Sequence, residues 1–205
     1  MGNGNKVEFL VAICALVASA MAVYIAWDQG RVMRAQQHGA VYPVLQVDGY
    51  VNNRSDVTAV GISVRNSGVG PALIESVELF VNDEKTDGLT RELTSLPDGF
   101  ELSWSALVGR ALAPGESVNP VDMVWARDVL DTEDIRNISE DAQTWQLEIC
   151  YCSVFERCWK TRKIGRSRAT PVDECVPQEV DIFEQLGLEN LNQELASELA
   201  EEASE

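Results

Sequence analysis

Cys150, Cys152 and Cys158 fall within nine positions of the stretch EICYCSVFERCW, and Cys175 follows seventeen residues later. Thiols spaced this closely can close disulfides, hold a soft metal, or act as nucleophiles. A hairpin turning at Phe155 sets Cys152 opposite Cys158, Tyr151 opposite Trp159, and Glu148 opposite Arg162, joining an aromatic pair on one face to an ion pair on the other. Opposed cysteines in such a pair reach the ~3.5–4.5 Å Cβ separation that a disulfide needs. In an oxidising compartment Cys152–Cys158 is the natural bridge, leaving Cys150 to Cys175 and Cys14 alone in an apolar helix. In a reducing one, Cys150, Cys152, Cys158 and Cys175 are free thiols or a weak zinc alternative, since C-x-C-x5-C-x16-C lacks the usual C-x2–4-C knuckle. Catalysis by a cysteine needs a nearby base, and the only histidine, His38, precedes the domain. No catalytic set assembles, no cofactor is implied, and the chain reads as noncatalytic.

The elements that would position these thiols are short and rich in Val, Ile, Thr and aromatic residues. VYPVLQVDGYV, VTAVGISVRN, ALIESVELFV, ESVNPVDMVW, TWQLEICYCSV and CWKTRKI read as strands. With no long helices alternating between them, they predict an antiparallel β-sandwich. Pro43 lacks a ladder donor, which makes the first strand an edge or starts it beyond the proline. LTRELTSL and TEDIRNISEDA each have room for two or three helical turns, the second capped by Thr132 with Asp134 near its positive end. In WQLEICYCSV, period two sets Trp145, Leu147, Ile149 and Tyr151 on an apolar face, and Cys150 and Cys152 on the polar face with Gln146 and Glu148.

The stretch RNSGVGPALI, Arg65 to Ile74, reads as a crossover turn in which Asn66 bonds its own backbone. Its glycines do not fit a phosphate-binding G-x-G-x-x-G loop. The pattern N-x-G-x-G-P-A between strands resembles immunoglobulin-like modules of bacterial surface and membrane proteins. The helix ending in AW, the YPVL-like first strand and the YCSVFERCW hairpin are similar to a group of uncharacterised bacterial single-pass membrane proteins. That resemblance spans the helix, three strands and the hairpin; it implies a membrane-tethered immunoglobulin-like β-sandwich and carries no catalytic residues.

FLVAICALVASAMAVYIAW, Phe9 to Trp27, holds nineteen uncharged residues, about 28 Å of helix against a ~30 Å hydrocarbon layer. Tyr24 and Trp27 suit an interfacial belt. The rival is a signal peptide cleaved at Ala18-Ser19-Ala20, which would leave an apolar MAVYIAW terminus. Ala18, Ala22 and Ala26 recur at intervals suited to self-association of the helix. Lys6 before the helix against Arg31 and Arg34 after it slightly favours a cytoplasmic domain, hence reduced thiols. The expected order is an N-terminal tail (1–6), a transmembrane helix (7–27), a juxtamembrane link (28–40), the sandwich (41–168) and an acidic tail (169–205).

A formal net charge of −17 argues against nucleic acid as a partner. The bilayer and a protein partner remain. Charge is also segregated: Arg157, Lys160, Arg162, Lys163, Arg166 and Arg168 form a basic run without an acid, whereas Asp173 to Glu205 carries eleven acids and no base. Leu188, Leu191, Leu195 and Leu199 recur at helical spacing within that tail. The basic run and this leucine stripe are therefore candidate interaction surfaces, for the chain itself, for anionic lipid or for a partner.

Overall fold

The apolar run does not end at its aromatic residues. A computed structural model describes residues 4–186, apart from positions 55, 87, 128, 143 and 167. Gly4–Ala40 is one continuous helix, α1, of 37 residues, about 55 Å at 1.5 Å per residue. The link expected over 28–40 is thus helical, because no proline interrupts the chain before Pro43, and Gly30 in its interior and Gly39 at its end are too small a perturbation to break it. By length and composition, α1 is apolar enough to cross a membrane, and none of its most apolar window is buried. It fits a membrane anchor or a signal sequence.

Val41 onward forms a second unit. Its strands are β1 (Leu45–Asn53), β2 (Val57–Asn66), β3 (Ala72–Val81), β4 (Glu84–Thr86), β5 (Phe100–Trp104), β6 (Ala111–Leu112), β7 (Ser117–Ala126), β8 (Trp145–Cys152), β9 (Cys158–Thr161) and β10 (Thr170–Val172). Two helices, α2 (Thr90–Leu93) and α3 (Thr132–Ala142), connect them. One antiparallel sheet has the order β1-β2-β7-β5, the other β10-β9-β8-β3-β4 with β6 beside β3. Period-two alternation turns Val47, Val60, Ile62 and Met123 of the first sheet and Leu79, Leu147 and Ile149 of the second into one buried cluster. Pro43 lies before β1, where its missing N–H costs no ladder bond. Pro120 falls where the β2–β7 register shifts, between Ile62↔Val121 and Val64↔Val118, so the bulge absorbs the missing donor.

The crossover between β2 and β3 is organised by Asn66, which is fully buried. Its Nδ2 donates to the carbonyls of Gly70 at 2.7 Å and Leu112 at 2.9 Å. Its Oδ1 accepts from the N–H of Gly68 at 2.9 Å and of Val44 at 3.3 Å. Both amide donors and the acceptor are therefore used to join the turn, the entry to β1 and β6. Glycine is required at 70 because a Cβ there would lie 2.1 Å from the Val41 carbonyl oxygen.

Two local expectations need correction. Helix α3 is capped by Asp131 rather than Thr132: Asp131 Oδ1 accepts from the N–H of Glu133 and Asp134, while Asp134 Oδ2 accepts from the Asp131 N–H, a reciprocal box. The sandwich-like packing also does not stop at Arg168. Strand β10 pairs with β9, and Ile182, Phe183 and Leu186 enter the buried cluster. The first part of the acidic segment is thus a packed strap, whereas Leu188, Leu191, Leu195 and Leu199 lie outside the described residues.

Candidate binding cleft and the disulfide-bonded edge

The hairpin has the register expected from its turn, with Tyr151 opposite Trp159 and Cys152 opposite Cys158. Glu156 adopts a left-handed φ of 58° at the turn, and Ser153 donates its N–H to the Arg157 carbonyl at 2.8 Å to close it. The ion pair differs from expectation. Glu148 meets Lys160 at 2.9 Å, because the flexible lysine, opposite Cys150 in the ladder, reaches diagonally to it. Arg162 instead bonds Asp83 at 3.3 Å and stacks over Phe80, its guanidinium carbon 3.8 Å from the ring centre.

All four domain cysteines are oxidised: Cys152 joins Cys158, and Cys150 joins Cys175. This corrects the expectation of free thiols. Cys150 and Cys152 do share the face opposite the apolar one, yet they are only 1% and 9% exposed, because the strap crosses that face from the Cys150–Cys175 bridge to Glu75 of β3. The sulfurs of Cys152, Cys158 and Cys175 lie within 4.8 Å of one another. As disulfide sulfurs they offer no thiolate to a metal, so the zinc alternative would first require reduction.

The strap that Cys175 delivers is held by backbone groups. Gln178 donates its N–H to the Glu75 carbonyl at 2.9 Å, and its Oε1 accepts from Val77 N–H at 2.9 Å. Those two groups are available because, on the edge of β3 away from β8, β6 pairs only with Ala72 and Leu73 and β4 only with Leu79 to Val81. Asp181, 1% exposed, accepts four backbone N–H bonds. Oδ2 takes Leu107 and Val108, and Oδ1 takes Phe183 at 2.9 Å and Glu184 at 2.8 Å. The carboxylate thus caps the short helical turn over 182–186 and ties it to the loop before β6. Replacing Cys150 and Cys175 together by serine should destabilise the full-length chain in detergent by about 3 kcal/mol, given the 25-residue separation of the bridge. Urea unfolding monitored by tryptophan fluorescence measures this; Cys152→Ser with Cys158→Ser, closing a loop of separation 6, should cost less.

A cleft of about 890 Å³ opens between the two sheets. Its floor is apolar, from Val60, Ile62 and Met123 on one sheet and Val81 and Trp145 on the other, and the turn after α2 and helix α3 close one side through Leu96 and Ile138. Lys163 and Arg166 stand on the rim with Glu92 and Asp141. The six bases of the run are therefore dispersed: Lys160 and Arg162 are ion-paired within the sheet, Lys163 and Arg166 flank the cleft, and Arg157 and Arg168 are exposed at the hairpin tip and ahead of β10. They do not form one continuous patch. The cleft's volume lies in the range of small-ligand and peptide sites. It was not legible in the strand pattern, since its floor residues read as ordinary core.

On the outer face of the first sheet, Tyr50 crosses β2 to donate its hydroxyl to Asp122 at 2.8 Å. Gly61 leaves room for this: a Cβ there would lie 2.7 Å from the phenol oxygen and 2.5 Å from the Val121 carbonyl. Burial raises the Tyr50 phenol above its ordinary value, and the hydrogen bond to the Asp122 carboxylate adds to the shift. Burial likewise pushes Tyr151 up to about 12 despite the N–H bond it accepts from Leu45. Both phenols remain neutral at physiological pH and act as struts, Tyr50 by donating to Asp122 and Tyr151 by accepting from Leu45. A family model described as a domain of unknown function, DUF8453, matches residues 9–165. No curated protein matches the chain.

Proposed function

The chain belongs to the DUF8453 family, and from that premise we propose that it is a membrane-anchored, noncatalytic binding module whose domain lies outside the cytoplasm. The observation that carries this reading is the oxidised state of Cys150, Cys152, Cys158 and Cys175, because disulfides persist mainly in oxidising compartments. It outweighs the near-tie between Lys6 and the Arg31 and Arg34 pair, which pointed weakly to a cytoplasmic domain. The apolar helix α1 supplies the anchor in a single pass. The orders β1-β2-β7-β5 and β9-β8-β3-β4 support an immunoglobulin-like sandwich as the presented domain. A protein partner fits the cleft, with its apolar floor and charged rim, better than nucleic acid does, given the charge of −17.

Labelling with a membrane-impermeant maleimide tests the compartment, using a Cys14→Ala chain so that only the four domain cysteines report. In intact cells no label should enter, and denaturing lysis alone should change nothing. An impermeant phosphine reductant added to permeabilised outer layers should then expose all four sites without inner-membrane rupture. Four thiols that react on lysis without reductant would place the domain in the cytoplasm and leave the reading as an exported module without support.

A further inference from the structure

Strand β1 is at the edge of its sheet, with β2 as its one strand partner among the described residues. Direction of its backbone groups follows from its end contacts. Ser67 N–H reaches the Val44 carbonyl at 2.8 Å, so even-numbered residues face β2. Gly165 N–H reaches the Val47 carbonyl at 2.7 Å and Leu45 N–H reaches Tyr151, so odd-numbered residues face outward. Beyond Val47, the outward N–H and carbonyl groups of Gly49 and Val51 have no backbone partner among the described residues. An edge of this kind is a template for another strand unless it is covered.

Gly49 and Val51 also line the inter-sheet cleft, so a strand added at this edge would direct alternate side chains over its apolar floor. At the Gly49 end, Ile164 packs 3.8 Å from where a Cβ would lie, which sets the loop carrying Lys163 and Arg166 beside the edge. Both are exposed, and neither makes an ion pair among the described residues. In a chain of net charge −17 this is a local reversal of sign. We propose that the β1 edge is a β-augmentation site for an extended segment of a partner protein, alternating apolar residues with an acidic residue at the end that meets Lys163 and Arg166. This rests on the reading of the domain as a binding module and names its site and ligand chemistry. Main-chain bonds to Gly49 and Val51 supply the pairing, the cleft selects apolar side chains, and the two cations select the acid.

A random nonapeptide library displayed on phage, selected against the full chain in lipid nanodiscs, tests this. Enriched peptides should alternate apolar and polar residues and carry Asp or Glu. Val51→Pro removes only the outward donor, since that N–H makes no bond to β2, and should weaken a synthesised winner at least tenfold. Lys163→Glu with Arg166→Glu should abolish the preference for acid. On the unaltered chain, amide exchange at Gly49 and Val51 should slow when the peptide binds, a readout that does not depend on any variant folding. Absence of enrichment over empty nanodiscs, or winners indifferent to Val51→Pro that leave both amides unprotected, would overturn the proposal. Concentration-dependent self-association lost in Val51→Pro would overturn it in favour of a second copy of β1. Failure here, with the cysteines still requiring reductant to react, would refute the edge site while leaving the exported module standing.

Discussion

Asp181→Ala is expected to lower the unfolding free energy of the full-length chain by roughly 3–5 kcal/mol, the upper range for a single substitution. The carboxylate is 1% exposed and is the acceptor for the N–H groups of Leu107, Val108, Phe183 and Glu184. Alanine leaves all four without a partner, at about 1–3 kcal/mol for each that stays buried. The costs do not add in full, because the N–H groups of Phe183 and Glu184 can turn toward water once the helical turn over 182–186 loosens. Asp181→Asn retains one acceptor oxygen but turns an NH2 group toward two donors, so its loss should be smaller than that of alanine and clearly measurable. Urea unfolding with tryptophan fluorescence checks the order wild type, Asn, Ala. Equal stability of wild type and Ala would mean that Asp181 does not anchor the strap.

Asn66→Asp should be comparably severe, by about 3–5 kcal/mol, and worse than Asn66→Ala. The amide is buried with Nδ2 between the Gly70 and Leu112 carbonyls at 2.7 and 2.9 Å. Aspartate differs by one atom yet would direct a carboxylate oxygen at two carbonyl oxygens in a site closed to water. Alanine merely loses the bonds and leaves their partners unsatisfied. The ordering Asp below Ala below Asn in unfolding midpoint separates a hydrogen-bond clamp from simple space filling, for which the near-isosteric aspartate would be the milder change.

The hairpin register was legible because the turn and the Tyr151–Trp159 pair fix it, and period two then leaves no freedom for Cys152 and Cys158. Its ion pairs were not: side-chain reach, not backbone register, sends Lys160 to Glu148 and Arg162 to Asp83. The strands of high Val and Ile content were recognisable, whereas FELSW, which forms β5, was missed among polar residues. The strap was obscured by composition. Eleven acids without a base after residue 172 read as a solvated tail, although Asp181 ahead of Ile182 and Phe183 has the form of a helix cap preceding apolar residues. Helix α1 ran past Trp27 because an amphiphilic Arg-containing stretch without proline continues a helix at little cost. The cleft was invisible to periodicity, which tells which face a residue takes and not how far two sheets diverge.

The two disulfides are nested, one spanning 150 to 175 and the other 152 to 158 within it. A single scission of the main chain anywhere between Cys150 and Cys175 therefore leaves both fragments in one covalent molecule. The exposed hairpin tip at Val154, Phe155 and Arg157 lies inside that span. A protease that clips the tip would not shed the strap: β9, β10 and the strap, beyond the cut, would stay joined to the rest of the chain through sulfur rather than through peptide.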